Sequence, residues 1–284
     1  MGVSEQDPKR SGLTYYHGSK NTKPNRDLKV GTWNVRSLYR AGAYQEILKE
    51  ASERELDLGA IQETWWQDSG ILAKDNFTFI FGGVSGHSLG TGFLVSKRII
   101  HAVKSFRFVN DRLSYIIIEG AWYNYVVINV HCPTEDKEEE VKDLYYEALE
   151  QLIDQFASYD TKIVVGDFNA KIGKEEMFRP TIGKESLHET SNDNGIRVIH
   201  FAAAKDLIVK TTCFKHKDIH KATWTSPDGA TQNQIDHFLI DKRRHTNVLD
   251  TSEKLSEHAA KIIYSCDTKW MNTATKRSGR SVGK

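Results

Sequence analysis

Apolar residues return along this chain in two rhythms. The runs LKVGTWNV (28–35) and LDLGAIQET (56–64) read as buried strands. Between them, Tyr44, Ile47, Leu48 and Ala51 stand at i, i+3, i+4 and i+7, the spacing of a helix face. From 77 to 131 come FTFIFGG, TGFLVSK, RLSYIIIEGAW and YVVINVH, punctuated by Gly, Asn and Asp. They predict an antiparallel meander of hairpins. A helix is predicted over 136–157, its apolar stripe carried by Val141, Leu144, Tyr145, Ala148, Leu152 and Phe156. Glu138, Glu139 and Glu140 fall in its first turns, where the helix dipole favours negative charge, so that run has a structural explanation. KIVVGDFN (162–169) reads as a strand entering a polar loop and DNGIRVIHFAAAKDL (193–207) as a shorter helix. IVKTTCF, KATWTS, NQIDHFLID and AAKIIYS complete the strands. Strands mixed with three amphipathic helices predict an α/β domain of two sheets packed face to face with helices outside. The pattern shows no internal repeat and no linker within 28–266. It predicts one domain there, with a non-periodic, disordered leader over 1–27 and a disordered tail over 267–284.

Composition narrows this little. Five prolines and 20 glycines in 284 residues exclude a fibrous or low-complexity chain. No run of about 18 apolar residues is present, so no membrane span is expected. The polar start MGVSEQDPKR lacks the apolar core of a signal peptide. Cys132, Cys213 and Cys266 are odd in number and share no CxxC spacing, which suggests a reducing compartment and argues against a disulfide framework or zinc ribbon. Charge is more informative. The net value is +1, yet residues 1–29 carry +3 and residues 267–284 carry +4, leaving −6 on the body. Basic ends read as solvated tails or as phosphate-seeking arms. An acidic body can still meet nucleic acid if its acids gather around a divalent ion.

Candidate chemistry lies where apolar strands end. Asn34 closes KVGTWN, Glu63 closes LGAIQE, His131 closes VVINVH, Asp167 and Asn169 follow KIVV, and Asp236 and His237 sit within QIDHFLI. Ligands gather at the carboxyl ends of strands in α/β sheets. Each residue has a plainer reading: Glu63 a solvated strand end, Asp167-Phe168-Asn169 an Asx turn, Asp236-His237 a buried ion pair, Asn34 a turn cap. Together, carboxylates, two Asn and a His with no nucleophilic Ser or Cys motif suit metal-assisted hydrolysis by water. GxxxxGK[ST], GxSxG and HExxH are absent. Cys132 neighbours His131, but adjacent strand side chains point apart, so no Cys–His pair is expected.

Seven segments in this order resemble the endonuclease/exonuclease/phosphatase superfamily: GTWNVRSL, AIQETWW, INVHCPTED, VVGDFNAKIG, NDNGIRVIHFAA, ATWTSPDG and NQIDHFLID. The resemblance spans about 28–266. It is narrower still to the apurinic-type endonuclease domain of RTE-type non-LTR retrotransposons and to the cellular craniofacial development protein 2-like family, through residues 213–241. It implies a four-layer α/β sandwich, a Mg²⁺ or Mn²⁺ ion, and hydrolysis of DNA phosphodiesters to leave a 3′-hydroxyl. It further implies that Asn34 and Glu63 hold the metal and its water and that Asp167 orients or deprotonates the attacking water. Asn169 would hydrogen-bond the scissile phosphate, and Asp236 would orient a catalytic His258. Asn194 and Trp224 are implied as substrate-binding and Glu257 as a further metal-side carboxylate; nuclear residence is expected from the DNA substrate alone, and a monomer is expected.

Two departures from the family stand out. His131 occupies the place where apurinic endonucleases carry Tyr; imidazole can still donate to phosphate. Ser256-Glu257-His258 stands where the family ends in Ser/Thr-Asp-His, which moves the carboxylate by one methylene. Three functions are therefore open: an active metal-dependent nuclease, a catalytically impaired remnant that keeps the fold, and a superfamily phosphoesterase acting on inositol phosphates or sphingomyelin.

Overall fold

The computed structural model describes residues 27–83, 89–120, 122–253 and 262–266. The chain first builds β1 (Leu28–Asn34), α1 (Ala43–Glu53), β2 (Leu58–Gln62), β3 (Gly70–Lys74), β4 (Phe77–Gly82) and β5 (Thr91–Ser96). It continues through β6 (Val103–Phe108), β7 (Leu113–Ile118), β8 (Tyr125–His131), α2 (Glu139–Asp154), β9 (Thr161–Asp167) and α3 (Asp193–Ala204). The last strands are β10 (Leu207–Val209), β11 (Trp224–Thr225), β12 (Gln232–Asn233), β13 (Asp236–Asp241), β14 (Val248–Glu253) and β15 (Ile262–Cys266).

Two large sheets result. One has seven strands in the order β14-β15-β1-β2-β5-β4-β3, the other six in the order β10-β13-β9-β8-β7-β6. Each contains one parallel pair, β1 with β2 and β8 with β9. Parallel neighbours need a long crossover, and α1 and α2 supply it. Between the sheets, Leu28, Val30, Leu58, Ala60 and Phe93 meet Ile116, Val127, Ile163, Val165, Phe238 and Ile240. Outside the first sheet, α1 packs Tyr44, Leu48 and Ala51 against Trp33, Ile61, Phe79 and Leu94. Outside the second, α2 and α3 cover Val126, Ile128, Val164 and Leu239. The order helix, sheet, sheet, helix is a four-layer sandwich. Strands covered on both faces are apolar over most of their length, which is why β8 and β9 read as strongly apolar runs.

Several expectations change. The meander is divided between the sheets, β4 with β5 in one and β7 with β8 in the other. The strands β3, β6 and β14 left no clear pattern; β3 and β6 are sheet edges with mostly exposed side chains, so no alternation marks them. IVKTTCF is a strand only to Val209 and then turns as 3₁₀ over Lys210–Thr212. The buried face of α2 is Lys142, Tyr145, Tyr146, Leu149, Leu152 and Ile153, while Val141 and Leu144 are 48% and 67% exposed. The face turns because Lys142 is drawn in by ion pairs to Glu139 (3.3 Å) and to Asp193 of α3 (3.2 Å).

Candidate active site

Along each inner strand, the side chains facing the opposite sheet are apolar until the last one or two. On β1 the sequence Leu28, Val30 gives way to Thr32 and Asn34; on β2, Leu58 and Ala60 lead to Gln62; on β8, Tyr125 and Val127 lead to Asn129 and His131. Ile163 and Val165 lead to Asp167 on β9. β13 runs antiparallel to β9, so its first residue, Asp236, pairs with Asp167, while His131 pairs with Asp167 across the parallel ladder. His131, Asp167 and Asp236 thus form a row across three strands, all buried.

The two sheets are locked in register just beneath this row. Gln62 Nε2 donates to Asn129 Oδ1 (2.6 Å) and to Thr32 Oγ1 (3.0 Å), and Asn129 Nδ2 donates to the Ile61 and Gly92 carbonyls (3.0 and 3.1 Å). Beyond Gln62 a continuing strand would turn Glu63 to the other face. Its φ of 55° breaks the alternation and returns the carboxylate to the same side. Asn169 has φ 49°, Arg36 46° and Trp65 60°. Non-glycine residues held in the left-handed region cost about 1–3 kcal/mol each and concentrate at functional sites. Gly166 has a structural need of its own: a Cβ there would lie 2.0 Å from the Val130 carbonyl, so the close approach of β9 to β8 beside Asp167 admits glycine alone.

The acids meet at one amide. Asn34 Nδ2 donates to Glu63 Oε1 at 2.6 Å and to Asp167 Oδ2 at 2.9 Å. By the sum of those distances the two carboxylate oxygens are at most 5.5 Å apart. Asn34 Oδ1 accepts from the Arg36 N–H at 3.1 Å. Nitrogen toward the acids and oxygen toward a donor sets the amide's orientation here, with Nδ2 bridging the two carboxylates. His131 Nε2 lies 3.4 Å from Glu63 Oε1. Burial, and then the Arg112 charge, pull the His131 imidazole down to about 4 against the opposing pull of Glu63, so the ring is neutral at neutral pH. Burial pushes the Asp167 carboxyl above the usual carboxylate range, partly offset by hydrogen bonds from Asn34 and from the Asn169 N–H (3.0 Å).

The remaining candidates sit around this centre. Asn169 closes an Asx turn on Asp167 and donates through Nδ2 to the Cys132 carbonyl (2.9 Å). Asn194 is buried, its Nδ2 donating to the Pro133 and Asn169 carbonyls (3.1 and 2.9 Å), so it ties two site loops together and does not reach outward to substrate. Its helix start is capped by Asn192, whose Oδ1 accepts from Gly195 N, and by Glu135, which accepts from the Asp193 and Asn194 N–H groups. Trp224 is half-buried on the small β11–β12 ribbon; the preceding Thr223 accepts from the Asp236 N–H at 3.2 Å. Asp236 and His237 do not form an ion pair: His237 lies between Thr211 Oγ1 (2.9 Å) and the Ala170 carbonyl (2.8 Å). Cys132 is core, its thiol pushed up to about 12 by burial, which removes it as a nucleophile. Glu257 and His258 lie outside the described residues. Reading the sequence missed Arg112, which donates to the His131 and Cys132 carbonyls (3.2 and 3.4 Å), and Asn129. A polar residue inside an otherwise apolar strand was the signal for Asn129.

The donor set suits a hard cation. Two oxygen-donor carboxylates at the strand ends match Mg²⁺, which is held by one or two acids. Among the described residues no cluster of three or more His, Cys, Asp or Glu forms the fuller cage that zinc requires.

A four-layer α/β sandwich with this polar row defines the class, and the chain belongs to the Endonuclease/Exonuclease/phosphatase family, matching it over residues 31–257. Craniofacial development protein 2 of Bos taurus is 31% identical over 220 residues, 77% of this chain, and the chain spans 37% of that relative's length. The endonuclease domain of TRAS1, a telomere-specific non-LTR retrotransposon, shares the fold with TM-score 0.59 and 13% identity, over 86% of this chain and 99% of that one. The AP endonuclease LMAP from Leishmania major matches with TM-score 0.64 and 13% identity (85% and 88%). The 3′ phosphatase NExo from Neisseria, solved bound to a product DNA hairpin, matches with TM-score 0.59 and 16% identity (84% and 99%).

Proposed function

We propose that this chain is a divalent-metal-dependent DNA endonuclease that hydrolyses a phosphodiester by in-line attack of water and leaves a 3′-hydroxyl. The observation that carries this reading is the meeting of Glu63 and Asp167, from opposite sheets, at the single amide of Asn34. Glu63 would hold Mg²⁺ or Mn²⁺ there, and the ion would supply charge stabilisation to the phosphoryl oxygens. Asp167, its proton affinity raised by burial, is placed to orient the attacking water and take its proton. In this reading neutral His131, whose Nε2 lies 3.4 Å from Glu63, and Asn169, whose Nδ2 keeps one N–H beyond its bond to the Cys132 carbonyl, would donate to phosphate oxygens. DNA as the substrate is supported by the family and by fold neighbours that include a retrotransposon endonuclease, an AP endonuclease and a DNA-bound phosphatase. Nuclear residence would follow from that substrate.

Glu257 in place of the family's Asp favours a second reading, a remnant that keeps the fold without the chemistry. Supercoiled-plasmid nicking separates the two. With Mg²⁺ between pH 6 and 9, wild type should nick, the nick should be extended by a DNA polymerase without end repair, and Asp167→Ala should lower the rate at least 100-fold. A folded wild type that never nicks overturns the enzyme reading in favour of the remnant.

A further inference from the structure

The loops that follow β1 and β2 run side by side at the rim of the acids. Val35 N donates to the Gln62 carbonyl (3.0 Å), Ser37 N to that of Glu63 (2.8 Å) and Leu38 N to that of Thr64 (3.1 Å). Tyr39 and Trp65 follow the last of these bonded pairs, so two aromatic residues stand on adjoining loop backbones. Two residue steps of about 3.8 Å put the Trp65 Cα within about 7.6 Å of the Glu63 Cα. Arg36, exposed on the Tyr39 loop, pulls the Asp167 carboxyl down against burial, so this loop reaches the acids. Tyr39 is 52% exposed.

Packing does not account for Trp65. Its neighbour Trp66 is held by Tyr44, Phe79 and Phe81, with ring centroids 6.0, 5.6 and 4.7 Å away. Trp65 is half-buried, yet among the described residues it packs against none of the three apolar clusters and makes no ring pair. Its indole Nε1 is buried with no hydrogen-bond partner among the described residues. Its φ of 60° is an outlier for so bulky a side chain. Glu55, Asp75 and Asp206 take that conformation just past α1 and α3 and in the turn from β3 to β4. Trp65 lies in no such turn. Backbone strain without a packing return, two residues from Glu63, marks a residue kept for a ligand.

We propose that Trp65 and Tyr39 form a stacking platform for a DNA base adjoining the scissile phosphate. The inference rests on the nuclease reading and adds to it a preference among DNA sites. Every base presents a π face, so aromatic rings hold unstacked bases without reading their edges. Bases leave a duplex most readily at the flexible pyrimidine–purine steps, TA and CA/TG. A platform beside the metal-side Glu63 therefore favours single strands and, in duplex DNA, those steps.

The test has two arms, both with the full chain. Fluorescence anisotropy of a labelled thymidine dodecanucleotide, without divalent ions and at about 0.3 M salt to weaken charge contacts, reads the platform apart from cleavage. Trp65→Ala/Tyr39→Ala should weaken binding at least 10-fold with an unchanged melting temperature, and Trp65→Phe should bind within about 3-fold of wild type. Mapping plasmid nicks reads the same rings in a duplex: wild type should favour TA and CA/TG steps at least 5-fold, and the double variant should lose that preference. Unchanged affinity in the double variant, a loss accompanied by a lowered melting temperature, or wild-type nicks spread evenly over all steps overturns the proposal. A wild type that binds through the two rings and never nicks keeps the platform and sinks only the nuclease reading, so the two failures are separable.

Discussion

His237 illustrates how single side chains hold this fold's polar interior. The Ala170 carbonyl can only accept, so Nε2 carries the proton and Nδ1 accepts from the Thr211 hydroxyl. Burial pulls this imidazole from 6.5 down to about 4. The unfolded chain therefore binds a proton that the folded one refuses between those values. Stability is full above pH 6.5 and is lost as pH falls toward 4, by about 3 kcal/mol from this residue. Urea denaturation from pH 7.5 to 4.5 should show that decline, and His237→Gln should make it shallower, the rest remaining with His131 and His188, whose imidazoles burial also pulls down. An unchanged pH slope in the variant would contradict the assignment. At this scale the sequence was informative only in part. Asn34, Glu63, His131 and Asp167 were visible as polar residues closing apolar strands. The return of Glu63 to the face of Gln62 was not, because it depends on a left-handed φ that no side-chain pattern announces.

At the scale of elements, the parallel pairs β1–β2 and β8–β9 explain why the polar residues converge: each ends its two strands at the same edge, and the Gln62–Asn129 bond aligns the edges of the two sheets. Asn129→Leu keeps the volume but removes the bond to the Gln62 amide and the two bonds to the Ile61 and Gly92 carbonyls. It should cost on the order of 3 kcal/mol in urea denaturation and reduce nicking about 10-fold or more through a looser Glu63. Wild-type stability and rate in that variant would remove the bond from the account. Strand and helix positions were legible wherever a face alternates or a stripe recurs. The edges β3 and β6 were not, since exposure on both sides erases the alternation, and the stripe of α2 was misplaced because a buried lysine reads as polar.

For the whole molecule, the charge distribution sets how it would approach DNA. No described helix is long and apolar enough to cross a membrane. The body is net acidic and the net positive charge lies at the ends of the chain, so long-range attraction to a polyanion falls to those ends. Removing residues 267–284 takes away a net charge of +4. DNA affinity should fall, and the slope of log affinity against log salt should flatten by up to about 4. An unchanged slope would assign no contact to that segment. The family, its sandwich and the order of its motifs were legible across most of the chain because they rest on many short segments at once.

In the proposed enzyme, Glu63 and Asp167, from separate sheets, serve one divalent ion. Titrating the protein with Mn²⁺ and following free ion by electron paramagnetic resonance counts the sites directly. Wild type should bind one ion, and Glu63→Gln and Asp167→Asn should each weaken that binding at least 10-fold while the circular dichroism stays the same. Mn²⁺ binding that survives both substitutions, or none in wild type, would contradict it.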